Sequence, residues 1–221
     1  MIMAKAPRLG SVKTRLAENI SLAAVTDLYR CLLDDTIALT QTLDNVEVSI
    51  MCPPSDVEDL SRAVAKAVRV VPQKGLGLAE GLASVFERFA TAGRRRVIAF
   101  NSDTPHLPAS VLESAFDLLE TCDLVVGPTH DGGYYLVGAG AAHPGLFAGD
   151  RMGTANARDV LLERAMRLQL SVRLVASFYD IDVVADLRQL AEELRRAPGR
   201  APRTARWLSE WGQRSSAARA E

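Results

Sequence analysis

Four cations and no acid fall within eleven residues near the start of the chain: Lys5, Arg8, Lys13 and Arg15, around a turn that holds Pro7 and Gly10. Arginine presents a planar fork to phosphate oxygens and lysine a movable point charge, so the cluster suits a triphosphate better than a neutral ligand. Gly10 opens backbone conformations that a β-carbon closes. The spacing is not G-x-x-x-x-G-K-[ST], so this is no Walker A loop. Taken alone, a basic run reads equally well as a solvated surface.

Carboxylates come later. Asn101-Ser102-Asp103-Thr104-Pro105 follows the apolar run Arg96–Phe100, and Tyr179 leads into Asp180-Ile181-Asp182, with Asp186 four residues on. Mg²⁺ commonly uses one or two protein carboxylates and lets substrate phosphates complete its shell, which Asp103 with Asp180 or Asp182 would allow. Asp182 reads equally as the N-cap of the helix that follows it. Two more strings stand out. In Gln73-Lys74-Gly75-Leu76-Gly77, Gln73 offers a donor and an acceptor to a nucleobase edge, and the glycines let a flat ring approach the backbone. In Asp131-Gly132-Gly133-Tyr134 an acid beside two glycines fits an acceptor- or sugar-binding turn, though Asp-Gly between strands is also a hairpin signal.

The elements that must carry these residues alternate. Short β-branched runs predict strands at 1–4, 46–52, 69–71, 97–101, 123–126, 134–138 and 171–178. Helical patterns lie between them at about 22–43, 55–66, 77–92, 109–120 and 156–168, with Ser21 as an N-cap and prolines opening the second and fourth. This order predicts an α/β layered fold around a mostly parallel sheet, with the basic loop directly after the first strand. In open α/β sheets ligands sit beyond the carboxyl ends of the strands, and the loop must lie there. From about Arg195 the composition turns to a Pro/Arg-rich stretch, so residues 1–194 are expected to form one domain and 195–221 a helical appendage with a frayed tail. Trp207 and Trp211 are four apart and share a helix face, suited to packing on the main domain or on a second copy in a homodimer.

Composition narrows the function. The 221 residues carry a net charge of −1, so no chain-wide basic field exists to hold a nucleic acid. Only four of the 26 basic residues are Lys, at positions 5, 13, 66 and 74. Three well-separated Cys at 31, 52 and 122 form neither a disulfide framework nor a zinc spacing. The first residues lack the apolar core of a signal peptide and no stretch has membrane-span length, so a soluble, cytoplasmic protein is expected. No Ser-His or Cys-His constellation suggests a protein nucleophile.

Together, the strings K-A-P-R-L-G-S-V-K-T-R-L, Q-K-G-L-G-L, N-S-D-T-P-H-L-P, G-P-T-H-D-G-G-Y-Y-L-V-G and D-I-D-x-x-x-D-L resemble a family of bacterial transferases. That family is glycosyltransferase-A-like and associated with radical-SAM/selenodomain proteins, a relative of the molybdopterin and 2-phospholactate guanylyltransferases. The resemblance spans roughly residues 1–190. It implies a three-layer GT-A (nucleotide-diphospho-sugar transferase) fold with a nucleotide over the carboxyl edge of the sheet. On this likeness Lys13 and Arg15 engage the triphosphate, and Gln73 and Gly77 contact the base. Lys5, Pro7, Gly10 and Ser102 complete the nucleotide set, while Asp131, Gly132, Gly133 and Tyr134 face the acceptor. Asp103 binds the metal, Mg²⁺ or Mn²⁺, with Asp182 as the second carboxylate. The chain departs where Asn101 replaces a frequent Gly, and where Val183-Val184 replaces Thr-Pro in the last motif. The reaction implied is nucleotidyl transfer from a nucleoside triphosphate to a phosphorylated small molecule. Glycosyl transfer from a nucleotide sugar is the alternative.

Overall fold

The computed structural model describes residues 1–75, 77–197 and 199–217. Within these residues seven strands form one sheet: β1 (Ile2–Met3), β2 (Ser49–Cys52), β3 (Arg69–Pro72), β4 (Val97–Asn101), β5 (Leu124–Pro128), β6 (Tyr134–Ala139) and β7 (Val172–Leu174). Their order is β3-β2-β1-β4-β6-β5-β7. β1, β2, β3 and β4 run parallel, β6 is antiparallel to both β4 and β5, and β7 is parallel to β5. The sheet is mostly parallel, as the alternating pattern predicts.

Among the described residues seven α-helices accompany it: α1 (Leu22–Thr40), α2 (Val57–Ala63), α3 (Leu78–Thr91), α4 (Ala109–Leu118), α5 (Ala157–Arg167), α6 (Val184–Arg196) and α7 (Pro202–Ala217). Strand side chains alternate between faces, and the core divides accordingly. Ile2, Ile50, Ile98 and Phe100 pack on one side with Leu33 of α1, Leu60 of α2 and Leu112 of α4. Met51, Val97 and Ala99 pack on the other with Val85 and Phe86 of α3 and Val160 and Leu161 of α5. Helices thus cover both faces, giving three layers. A further cluster joins Leu28 and Leu32 of α1 to Leu187 and Leu190 of α6 and to Trp207 and Leu208 of α7. Trp211 stacks on Trp207 with ring centroids 5.9 Å apart, so the shared tryptophan face lies against the body of the same chain.

Some elements are shorter than the sequence predicts. β7 stops at Leu174, although Val175 N–H still donates to Val126 and Phe178 bridges to Thr129. Between them the chain leaves the ladder, and the Ala176 carbonyl accepts from the Tyr135 hydroxyl at 2.8 Å. The second helix is preceded by a 3₁₀ turn at Pro54–Asp56, and its α-helical part begins only at Val57. Cys31, Cys52 and Cys122 are unpaired thiols. No helix among the described residues is long and apolar enough to cross a membrane.

The sheet grows from β1 through β2 to β3 on one side, and from β4 through β6 on the other. β1 and β4 therefore flank the point where the chain changes direction across the sheet. That is the position at which open α/β sheets form a ligand crevice.

Candidate functional site

The loop after β1 is pinned before it reaches its charged end. The buried Asp56 carboxylate accepts from Ala6 N–H at 2.8 Å and from Arg8 Nη1 at 2.6 Å. Arg8 also donates to Asp59 and to the Ser55 carbonyl, each at 2.7 Å. These guanidinium bonds of Arg8 run to the α2 side of the loop, so this cation, one of the four in the basic cluster, is a staple. Ser11 N–H closes a turn on the Arg8 carbonyl, and Gly10 takes φ +73° with open space where a β-carbon would stand. Buried Val12 re-anchors the chain. Lys13 then adopts φ +47°, a left-handed conformation uncommon for a residue with a β-carbon. Its carbonyl receives Leu16 N–H at 3.0 Å, starting the 3₁₀ turn Leu16–Glu18.

That conformation turns the Lys13 side chain inward. Its ammonium contacts Asp103 Oδ2, at the end of β4, and lies 3.1 Å from Asp182 Oδ1, ahead of α6. Only 7% of the side chain is exposed. Burial works against the charge, but Asp103 and Asp182 outweigh it and hold the ammonium above its ordinary range. Arg15 Nη1 lies 3.1 Å from the other Asp182 oxygen. Asp103 Oδ1 is buried without a hydrogen-bond partner among the described residues.

Asp182 is free for these contacts because Asp186 does the work at the helix start. Its Oδ2 accepts from Asp182 N–H at 2.8 Å and from Val183 N–H at 2.7 Å, and Val183 is the capping residue of α6. The N-cap reading of Asp182 is thereby corrected. Asp180 sits behind the pair, and Asn101 Nδ2 donates to it at 3.0 Å while Asn101 Oδ1 accepts from Thr104. Burial first, and then the charge of Asp103, push the Asp180 carboxyl up to about 7.

The remaining candidates divide. Ser102 is buried and shares a 2.8 Å hydrogen bond with the Tyr29 hydroxyl, which also accepts from Lys5 N–H at 3.1 Å. Tyr29, on α1, thus ties the ends of β1 and β4 together, and nothing in the sequence marks it for that role. Lys5 itself is exposed, and Pro7 offers its carbonyl to Arg30. Gln73 and Gly77 lie beyond β3, two strands or about 10 Å along the edge from β1. Gln73 donates its amide hydrogens to the carbonyls of Gly75 and Gly77, at 3.3 and 3.0 Å, which shapes that turn from within. Gly77 N–H donates to Glu80 at 2.7 Å, where a β-carbon at Gly77 would collide.

The segment Thr129–Gly133 joins β5 to β6 as a hairpin turn. Asp131 accepts from Thr129 Oγ1 and from Gly133 N–H; the Thr129 bond chiefly, with a smaller contribution from Arg15, holds its carboxyl below the usual range. Gly132 has φ +91°, and a β-carbon there would stand 2.1 Å from the Ala155 carbonyl oxygen. Tyr134 and Tyr135 point to opposite faces, as their strand positions require. Tyr134 directs its hydroxyl to Met152 Sδ at 3.6 Å on the α3–α5 face.

Residues 36–154, more than half of the chain, match the model of the family described as "Uncharacterized protein conserved in bacteria (DUF2064)". The chain belongs to that family. Among solved structures, a protein from Desulfovibrio desulfuricans G20 called a "putative nucleotide-diphospho-sugar transferase" is similar to this DUF2064 chain at 29% identity. Their TM-score is 0.88, with 95% of this chain and 92% of that one covered. The homologue of Mycobacterium tuberculosis Rv0371c from Mycobacterium sp. strain JC1 has a TM-score of 0.53 at 19% identity, over 88% and 95% of the two chains; it shares the fold. No curated protein matches the sequence.

The DUF2064 segment holds Asp103 and the hairpin turn but neither Lys13 nor Asp182, which reach the site from either side of it. Lys13, Arg15, Asp103 and Asp182 converge beyond the carboxyl ends of β1 and β4, with Asp131 and Asp180 close enough to act on them electrostatically. Three residues the sequence reading did not assign to this site, Tyr29, Asp56 and Asp186, hold its parts in register.

Proposed function

We propose that this protein is a metal-dependent nucleotidyltransferase that joins the nucleoside monophosphate of a triphosphate to a phosphorylated small molecule and releases pyrophosphate. The carrying observation is the buried Lys13 ammonium between Asp103 and Asp182, with Arg15 beside them, at the carboxyl edge of β1 and β4. Among the described residues no three carboxylate, imidazole or thiolate groups gather as a metal cage. Two carboxylates are what Mg²⁺ or Mn²⁺ needs when phosphates supply the rest, and the unpartnered Asp103 Oδ1 is an oxygen available for such a cation. Asp103 and Asp182 would hold the ion. When bound, it neutralises phosphate charge and polarises the P–O bond that breaks.

The chain's own groups supply positioning and charge. An acceptor phosphate oxygen attacks the α-phosphorus, the bond to the bridging oxygen breaks, and pyrophosphate leaves with that electron pair. The acceptor is already an anion, so no protein base is required. Lys13 and Arg15 stabilise the leaving pyrophosphate, Lys5 and the Pro7–Gly10 turn border the phosphates, and Ser102 lies against the same edge. Gln73 and Gly77 form the turn nearest a base, and Asp131–Tyr134 the turn nearest the acceptor. The likeness to guanylyltransferases and to the radical-SAM/selenodomain-associated group supports this assignment.

A second reading, glycosyl transfer from a nucleotide sugar, has the name of the D. desulfuricans relative in its favour. Against it, Asn101 spends its amide on Asp180 and Thr104, so no Asp-x-Asp metal pair forms at the end of β4.

The test is incubation with each nucleoside triphosphate, Mg²⁺ and a pool of sugar and organic phosphates, with pyrophosphate as the readout. Pyrophosphate release in wild type, reduced at least ~100-fold in Asp103→Asn, is expected. Hydrolysis of a nucleotide sugar to the diphosphate, with no pyrophosphate from any triphosphate, would establish the second reading instead.

A further inference from the structure

Lys13 occupies the place a cation would take between Asp103 and Asp182, and it does so with an unusual backbone. Its side chain is 7% exposed, whereas that of Lys74 is 82% exposed, and Lys5 and Lys66 are also at the surface. Its φ of +47° aims the ammonium inward, at a conformational cost that the two carboxylates offset. One side of the loop can give. Leu9 is 68% exposed, Gly10 has nothing within 4 Å of a β-carbon position, and the anchors are Arg8 before it and Val12 after it. A single ammonium also leaves the site incompletely satisfied, since Asp103 Oδ1 stays buried without a partner.

We propose that Lys13 is a resident counter-ion that holds the two-carboxylate site together until a divalent metal replaces it, and that the released ammonium then moves onto the nucleotide phosphates. This rests on the reading that Asp103 and Asp182 hold the metal. The exchange breaks no covalent bond: the ammonium keeps its proton and changes partners from carboxylate to phosphate oxygen. Metal and nucleotide binding are then coupled, each strengthening the other, because the nucleotide gives Lys13 a second place to go.

The experiment is amine labelling of the whole protein, read by mass spectrometry at each of the four lysines, beside calorimetric titration with Mn²⁺. Without metal, Lys13 is expected to label at least tenfold more slowly than Lys5, Lys66 and Lys74. Saturating Mn²⁺ is expected to raise its rate at least tenfold and leave the other three unchanged. The replacement of Lys13 by a neutral chain of similar length, Lys13→Met, is expected to bind Mn²⁺ at least tenfold more tightly than wild type. Mn²⁺ binding with Lys13 still protected, or equal or weaker binding by a folded Lys13→Met, overturns the exchange and leaves the metal reading standing. No Mn²⁺ binding with or without nucleoside triphosphate overturns both.

Discussion

Arg8 and Lys13 stand five residues apart in one loop and are used in opposite ways. Arg8 is bound to Asp56, Asp59 and the Ser55 carbonyl, while Lys13 turns into the crevice. The residue that makes the difference is Asp56, whose buried carboxylate takes both Ala6 N–H and Arg8. Replacing it with Ala leaves a buried N–H without an acceptor and frees a guanidinium. Asp56→Ala is therefore expected to lose about 2–4 kcal/mol, measured as a shift in urea midpoint. It should also weaken triphosphate binding, since Lys13 would no longer be held at a fixed distance from the crevice. Arg8→Ala removes a guanidinium that is 44% exposed on its side chain, and a smaller loss is expected. Unchanged stability in Asp56→Ala would show that the loop is held by something other than this carboxylate.

The turns are where the elements fix the site, and two glycines separate space from conformation. Gly10 and Gly132 both have positive φ, but only Gly132 faces backbone, the Ala155 carbonyl at the start of α5. Gly10→Ala should cost about 1–2 kcal/mol, the conformational term alone. Gly132→Ala adds a collision with main chain that no rotamer relieves, and about 3 kcal/mol or more is expected. Comparison of the two melting curves checks this, and equal shifts would contradict it. Much of this architecture was legible in the sequence. The β-branched runs marked the strands, Ser21 caps α1 through Ala24 N–H, and each candidate group follows a strand and so had to reach the carboxyl edge. What was not legible depends on distance along the chain. The capture of Arg8 by residues 48 and 51 positions away has no local signature. Neither does the insertion of β6 between β4 and β5, nor the left-handed turn at Lys13. Asp186 did leave a signal, four residues after Asp182, but local spacing alone could not say which of the two carboxylates would close the helix.

At the scale of the whole molecule, the buried His106 ties stability to pH. His106 is fully enclosed, both of its ring nitrogens lack partners among the described residues, and it packs against Tyr179 at 4.7 Å and Phe178 at 6.0 Å. Burial pulls its pKa down to about 4 from 6.5, with Glu193 opposing and Arg200 assisting that shift. The unfolded chain takes up this proton below about pH 6.5, while the folded chain resists until about pH 4. The contribution is thus fully present above pH 6.5 and lost as pH falls through that window, about 3 kcal/mol in all. His106→Leu should remove this acid loss from the stability profile between pH 6.5 and 4, as followed by denaturant titration at each pH. The buried Asp180 carboxyl and Met1 amine keep their own contributions. A profile unchanged by the substitution would place the acid sensitivity elsewhere.

The buried Asp35 of α1 accepts from Thr204 N–H at 2.7 Å, at the start of α7, across 169 residues of chain. On the ribosome, α1 is made before α6 and α7, so Leu28 and Leu32 have only neighbours such as Leu16, Ile20 and Val25 until those two helices emerge. The face of α1 that packs on α6 and α7 is therefore fully sheltered only after those two helices have left the exit tunnel. Such long-range closure folds slowly, and α1 is the segment a chaperone would find exposed in the meantime.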